Sequence, residues 1–185
     1  MVDPKQVTAI VVTKGGYDIS EVVGSLEPFD EAIVWDNTVN ENRRVFGRYL
    51  AALRAKNDLI YVQDDDCVVA FESLLRCWPD VKDRMICNVP GDRRKDYSRD
   101  AITLVGWGSI FHRKHIDAFS KYLARYPEDE LFDRECDRIF TYLVPHVEVD
   151  VPFRHLSYAF GTDRMGLETR HGEDLKEIRR RLANL

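Results

Sequence analysis

Cysteine is scarce and unpaired in this sequence: Cys67, Cys77, Cys87 and Cys136 stand singly, without the short paired spacings of a zinc site. A 185-residue chain that is 44% hydrophobic can bury a continuous core without covalent staples, so the four are expected as reduced core thiols. No apolar run is long enough to span a bilayer. The first residues, Met1-Val2-Asp3-Pro4-Lys5, also lack a basic segment leading into an apolar one. The expectation is therefore no membrane association and a cytoplasmic location, in a host cell's cytoplasm if the chain is viral. Excess positive charge is missing as well. With 27 Lys and Arg against 32 Asp and Glu, the formal net charge is -5, and a polyanion would have to find a local basic patch. Repeats, low-complexity tracts and Pro/Gly/Ser linkers are absent, which predicts one domain over 1–185.

What the sequence does contain alternates between two periodicities. Val7 to Val12 is a β-branched apolar run stopped by Gly15-Gly16. Asp18 with Glu21 then signals a helix start, and Ile19, Val22, Val23 and Leu26 recur at helical spacing. Ala32-Ile33-Val34-Trp35 reads as a second strand, Val45 to Leu53 as a second amphipathic helix, and Leu59-Ile60-Tyr61-Val62 as a third buried strand. Two strand-helix-strand crossovers in succession predict an α/β fold, a mostly parallel Rossmann-like sheet flanked by helices. Farther on, a short helix ends at Pro79, strands are expected at Met85–Val89 and Val147–Val151, the segments Ala101 to Val105 and Ser109 to His112 flank Gly106-Trp107-Gly108, and Ile116 to Leu123 suggests a helix ended by Pro127. Asp133 is the expected cap of the next helix. Residues 153–172 show no clear period, and Glu173 to Leu182 reads as a closing basic helix.

In sheets of this type ligands sit beyond the carboxyl ends of the strands. That edge carries Thr13, Asp36, Asn37 and the triplet Asp64-Asp65-Asp66. Three consecutive carboxylates repel one another and call for a counter-charge, which a hard divalent ion, Mg²⁺ or Mn²⁺, supplies with substrate phosphates completing its oxygen shell. The plainer reading is an acidic turn or helix cap before Phe71.

The segments Ala32 to Asn37, Leu59 to Asp66, Leu104 to Arg113 and Cys136-Asp137-Arg138-Ile139 together resemble the exostosin-type branch of the GT-A glycosyltransferases. The resemblance runs from Thr8 to about His155; each motif is short, and the set carries the specificity. It implies a single GT-A domain, with a nucleotide-binding half over 1–66 and an acceptor-binding half over 67–185. It also implies a UDP-sugar donor, Mn²⁺ or Mg²⁺, Asp66 as direct metal ligand, Asp64 on the metal shell or ribose, and Asp65 in either role or neither. Asp137 falls at the family's catalytic acidic position, where it would take the acceptor hydroxyl's proton or, with retention as the resemblance implies, orient the acceptor. The chain departs from the family at Arg138, where a second acidic residue is usual, and in lacking an anchor or disulfides. It looks like a stripped bacterial or phage relative, so the family's proteoglycan acceptor is not carried over.

Other candidates have competing readings. His171 could add a metal ligand or be a solvated loop histidine, and Arg170 and Arg164 could neutralise the departing diphosphate or lie on the surface. Thr13, Asp36 and Asn37 suit uracil and ribose. Arg44 and Arg48, four apart on the second helix, could reach base or phosphate or form a solvated face. Gly106 and Gly108 would let the backbone approach a sugar, with Trp107 either a stacking face or core. Asp137 could equally serve an acidic helix start. The loop Arg93-Arg94-Lys95 with Tyr97 and Arg99, and the cluster Arg179-Arg180-Arg181, make 5-hydroxymethylated pyrimidine in DNA one candidate for the hydroxyl acceptor. Two further classes compete. A nucleotidyltransferase or nucleotide-sugar pyrophosphorylase would need a longer glycine-rich loop than Lys14-Gly15-Gly16, and a non-catalytic nucleotide-sugar-binding module would bind without turnover.

Overall fold

A computed structural model describes residues 2–80, 83–91, 94, 102–103, 105–156 and 171–185. In its six-stranded sheet β1 (Val7–Thr13) is an interior strand, and its seven residues, an unbroken run of Val, Ala, Ile and Thr, are all buried, as a strand covered on both faces must be. β2 (Glu31–Asp36) and β3 (Leu59–Asp64) pair with it in parallel, one on each side. The chain reaches β2 by way of α1 (Ser20–Gly24) and β3 by way of α2 (Gly47–Leu53). The sheet continues from β3 through β6 (Ser109–His112) and β5 (Met85–Asn88) to β7 (His146–Val149).

β6 is the reversed strand, antiparallel to both β3 and β5, whereas β5 and β7 run parallel. The direction follows from where the chain enters β6. Gly106-Trp107-Gly108 lies at the carboxyl end of β3, where the Gly106 carbonyl accepts from Asp64 N–H at 2.6 Å, so the strand can only run back along β3. The fold is thus α/β with a mostly parallel sheet, as expected. A small second sheet was not legible: β4 (Cys67–Val69) pairs antiparallel with β8 (Phe153–His155), and three-residue strands are too short to show an alternation.

The period of two in the strands divides the core between the faces of the sheet. Ile10, Val12, Ile60 and Val62 face one cluster, and Val7, Ala9, Val11, Leu59 and Tyr61 face the other. The first cluster is closed by α2, α4 (Phe119–Leu123), α5 (Glu130–Leu143) and α6 (His171–Leu182), the second by α1 and α3 (Phe71–Cys77). Phe46, Tyr49, Phe111, Phe119, Phe132 and Phe140 interlock in the first, with contacting ring centroids 4.8 to 6.0 Å apart, and fully burying each phenyl contributes roughly 1.5–3 kcal/mol. The cysteines are free thiols, with Cys67, Cys87 and Cys136 buried and Cys77 half-buried. No helix among the described residues is long and apolar enough to cross a membrane.

Asp129, rather than Asp133, caps α5: its side chain accepts from Phe132 N–H at 2.9 Å. The helix begins earlier than the sequence suggested because Leu131 and Phe132 already belong to its buried face, and Asp133 pairs instead with Arg43. Asp137 therefore sits mid-helix, which removes the helix-start explanation for it.

Two stability predictions follow from this packing. A Cβ on Gly47 would lie 2.3 Å from the Trp35 ring. Alanine's better helix propensity gains at most about 1 kcal/mol, while overpacking against a fixed indole costs roughly 1–3 kcal/mol, so Gly47→Ala should lower the melting temperature. An unchanged midpoint in thermal denaturation would refute this. Glu135, 3% exposed on α5, is pushed up by burial from 4.5 to about 7, with its Arg138 partner opposing the shift. The folded state binds this proton more tightly than the unfolded chain does, so stability falls as pH rises from about 4.5 to about 7 and levels off above. Glu135→Gln should flatten that slope by up to about 3 kcal/mol across the window, measured as urea midpoints against pH.

Candidate functional site

The carboxyl end of β3 is where distant parts of the chain converge. Asp64, the last residue of β3, accepts at Oδ1 from Arg48 Nη2 of α2 at 2.7 Å. Nη1 of the same guanidinium lies 3.6 Å from Asp137 Oδ2, and Tyr49 O–H donates to Asp137 Oδ1 at 2.7 Å. Arg48 thus stands between the first triplet aspartate and the α5 aspartate. Gly106 presses on Asp64 from the other side, since a Cβ there would meet the carboxylate at 2.0 Å. The glycine's close backbone approach is therefore to the protein's own carboxylate.

Arg48 is 1% exposed, which excludes a solvated helix face. Burial works against its charge, but Asp137 and Asp64 more than offset that, and the guanidinium is held above its usual range. Its Nε and Nη1 make no protein hydrogen bond. About a fifth of the Asp137 side chain touches solvent, yet it is enclosed deeply enough that burial dominates and raises its proton affinity, against the opposing pull of Arg48 and the Tyr49 hydrogen bond.

The rest of the triplet is engaged differently. Asp65, buried, accepts from Tyr17 O–H at 2.5 Å; burial raises its proton affinity, and Thr13 and Tyr17 oppose that through hydrogen bonds. Tyr17 follows Gly15 and Gly16, whose φ values of 73° and 90° bring the β1–α1 connection over the triplet. The Asp66 carbonyl accepts from Leu156 N–H at 2.8 Å, just past β8.

Several expected ligand contacts are committed within the protein. The Asn37 side chain donates to the carbonyls of Thr13 (3.1 Å) and Arg44 (3.2 Å) and accepts from Arg43 N–H (3.1 Å), so it clips β1 to the segment before α2. Thr13 Oγ1 accepts from Gly15 N–H at 3.0 Å, and Asp36 Oδ1 accepts from both Thr38 N–H and its hydroxyl at 2.7 Å. Arg44 does not share a helix face with Arg48: it opens a 3-10 turn with φ 49° and lies 3.8 Å from Glu130. In α6, Arg180 pairs with Glu177, and Arg181 with Glu177 and Asp129, so two of the three arginines expected to form a nucleic-acid patch are neutralised. Arg170, Arg164, the His171 side chain, Arg93, Lys95, Tyr97 and Arg99 lie outside the described residues. Tyr17 and Tyr49 escaped the sequence reading because a tyrosine's hydroxyl partner leaves no trace in periodicity.

No group of three or more His, Cys, Asp and Glu among the described residues forms a metal cage on its own. Mg²⁺ and Mn²⁺ seldom need one: one or two carboxylates plus phosphate oxygens and water suffice. The hard oxygen donors of Asp64 and Asp66 fit that mode, beside a site where Arg48 offsets only part of the charge on Asp64, Asp65, Asp66 and Asp137.

No protein-family model matches the chain, and no curated protein matches it. Solved structures do match. A 4-diphosphocytidyl-2C-methyl-D-erythritol synthase from Anaerococcus prevotii is similar over 92% of this chain and 97% of its own, at 14% identity and a TM-score of 0.53. A Bacillus anthracis protein assigned as a glucose-1-phosphate thymidylyltransferase, crystallised with sucrose, is 11% identical over 80% of this chain and 89% of its own, with a TM-score of 0.48. At these identities the likeness is one of fold, and the second match is too distant to carry an argument.

Replacing Arg48 by methionine should cost roughly 2–4 kcal/mol, somewhat below a fully buried pair because Asp64 and Asp137 keep some solvent contact. The double variant Arg48→Met/Asp137→Asn should recover part of that loss in urea denaturation. Wild-type stability of the single variant would show that the bridge is not structural.

Proposed function

We propose that the chain is a divalent-metal-dependent transferase that makes or uses a nucleotide sugar, with the nucleotide's phosphates at Asp64 to Asp66 and the second substrate approaching Asp137. The observation that carries this reading is the buried Arg48, which holds Asp64 and Asp137 together at the carboxyl end of β3. The bridge serves the fold, and it also brings Asp137 from the middle of a remote helix to the carboxyl end of a strand, where ligands of such sheets sit. Asp66 and Asp64 would hold Mg²⁺ or Mn²⁺ jointly with phosphate oxygens; the ion's contribution is to offset negative charge at the reacting phosphates. His171, the first residue of α6, and Arg170, which precedes it in sequence, are candidates for an added ligand and a diphosphate counter-charge.

Two reactions fit this arrangement. In nucleotidyl transfer, a sugar-phosphate oxygen attacks the α-phosphorus of a nucleoside triphosphate and pyrophosphate leaves. The fold shared with the diphosphocytidyl-methylerythritol synthase supports this one. In glycosyl transfer, an acceptor hydroxyl oxygen bonds to the anomeric carbon of a UDP-sugar as its bond to the diphosphate breaks. The GT-A-like residue set and the placement of Asp137 support that one. Asp137, with its raised proton affinity, would receive the hydroxyl proton under inversion or orient the acceptor under retention. Hydroxymethylated DNA as acceptor gains nothing from the neutralised α6 arginines.

The test pairs two assays: UDP release from a panel of UDP-sugars with Mn²⁺, and pyrophosphate release from nucleoside triphosphates with sugar 1-phosphates. One should be positive and should vanish with chelator and in Asp66→Ala. If UDP is the product, Asp137→Asn should lower kcat by about 10²–10⁴-fold and change the donor KM little. Activity undiminished by chelator would overturn the proposal, and nucleotide-sugar binding without turnover in either assay would point to a non-catalytic module.

A further inference from the structure

Three aromatic rings gather beside the carboxylate triplet. Trp107 stacks on Phe153, with centroids 5.0 Å apart and planes 22° from parallel, and the His155 imidazole stands edge-on to both rings at 5.0 Å. The backbone fixes this trio to the site. His155 pairs with Cys67, next to Asp66, and Leu156 N–H donates to the Asp66 carbonyl. Trp107 follows Gly106, whose carbonyl holds Asp64 N–H, and Asn88 ties the segments together by donating to the Trp107 carbonyl at 2.9 Å and accepting from Val151 N–H at 2.9 Å.

The trio differs from the aromatic cluster on the other face of the sheet. There Tyr49, Phe132 and Phe140 are fully buried, whereas Trp107, Phe153 and His155 are each half-buried. Trp35 and Trp78 are 4% and 7% exposed, which leaves Trp107 as the tryptophan nearest solvent. The surroundings are acidic: the triplet lies on one side, and Asp150, accepting from Gly91 N–H at 3.0 Å, sits three residues before Phe153. Without a bridging cation, phosphate or a polyanion would be repelled there. An uncharged ring with a face of C–H groups suits both the electron-rich aromatic faces and the negative field.

We infer that Trp107, Phe153 and His155 form a pyranose-binding subsite beside the carboxylate triplet, taking the sugar of the donor or of a glycan acceptor. The inference deepens the proposed function, on which it rests for the position of the diphosphate. Trp107 supplies its own reporter. In the full chain, methyl glucopyranoside, methyl galactopyranoside and methyl N-acetylglucosaminide are titrated against acrylamide quenching of tryptophan emission, alone and with Mn²⁺ and saturating UDP; UDP and UDP-glucose are compared in parallel arms. The expected result is protection of the exposed tryptophan by a pyranoside, or by UDP-glucose beyond UDP. Trp107→Phe should abolish the optical signal with less than about a threefold loss of calorimetric affinity, and Trp107→Leu should lose about tenfold. Protection by a methyl glycoside in the presence of UDP assigns the acceptor's sugar; protection by UDP-glucose alone assigns the donor's. If UDP binds but no sugar alters Trp107, the subsite is overturned and the nucleotide reading stands. If UDP and UDP-glucose both fail to bind, the nucleotide reading falls, and the methyl glycosides alone decide the subsite: protection sustains it, and none overturns it. The wild-type measurement needs no variant to fold.

Discussion

A guanidinium with 1% of its surface exposed must be matched by carboxylates, because removing either kind of charge from water costs several kcal/mol when it is unpaired. Arg48 meets that condition with Asp64 and Asp137, and in doing so it fixes α2, β3 and α5 relative to one another. Its neighbour Tyr49 makes the arrangement double, filling the aromatic cluster with its ring and reaching Asp137 with its hydroxyl. Gly47, against the Trp35 ring, lets α2 come close enough to the sheet for both contacts. Polar bridge and apolar packing are therefore one constraint: loosening the helix would strand the charges, and removing the charges would leave a polar void beneath the helix.

The loops at this edge obey the same need to satisfy buried polar groups before any ligand is considered. Asn37 uses both ends of its amide on Thr13, Arg43 and Arg44; Asp36 turns on Thr38; Tyr17 closes over Asp65. The result is a rim in which the strand-end polar residues hold each other. Under the proposed function, the set left to meet a substrate is smaller than the polar residues of the edge, centred on Asp64, Asp66 and Asp137 and flanked by the half-buried rings of Trp107, Phe153 and His155. If the proposed group transfer occurs here, such mutual bonding suits it, because displacing a reacting group by about an ångström can cost about a hundredfold in rate.

The α/β alternation was legible because strands buried on both faces and helices buried on one leave unmistakable apolar periods, as in Val7–Thr13, Leu59–Asp64 and Gly47–Leu53. The acidic triplet was legible for a similar local reason: three adjacent carboxylates at the end of such a strand are a pattern in themselves. The reversal of β6, the β4–β8 pair and the true start of α5 were not, since each depends on which segment arrives beside which, and none changes the local period. Nor could the sequence say that Arg44 and Arg48, four apart and chemically alike, have opposite fates. Left-handed backbone at Arg44 sets it partly toward solvent near Glu130, while the close approach of α2 buries Arg48 between two carboxylates. Local composition determined the elements and the anionic edge; long-range packing decided which charges meet, because pairing energies in a desolvated site depend on ångström distances that only the assembled chain defines.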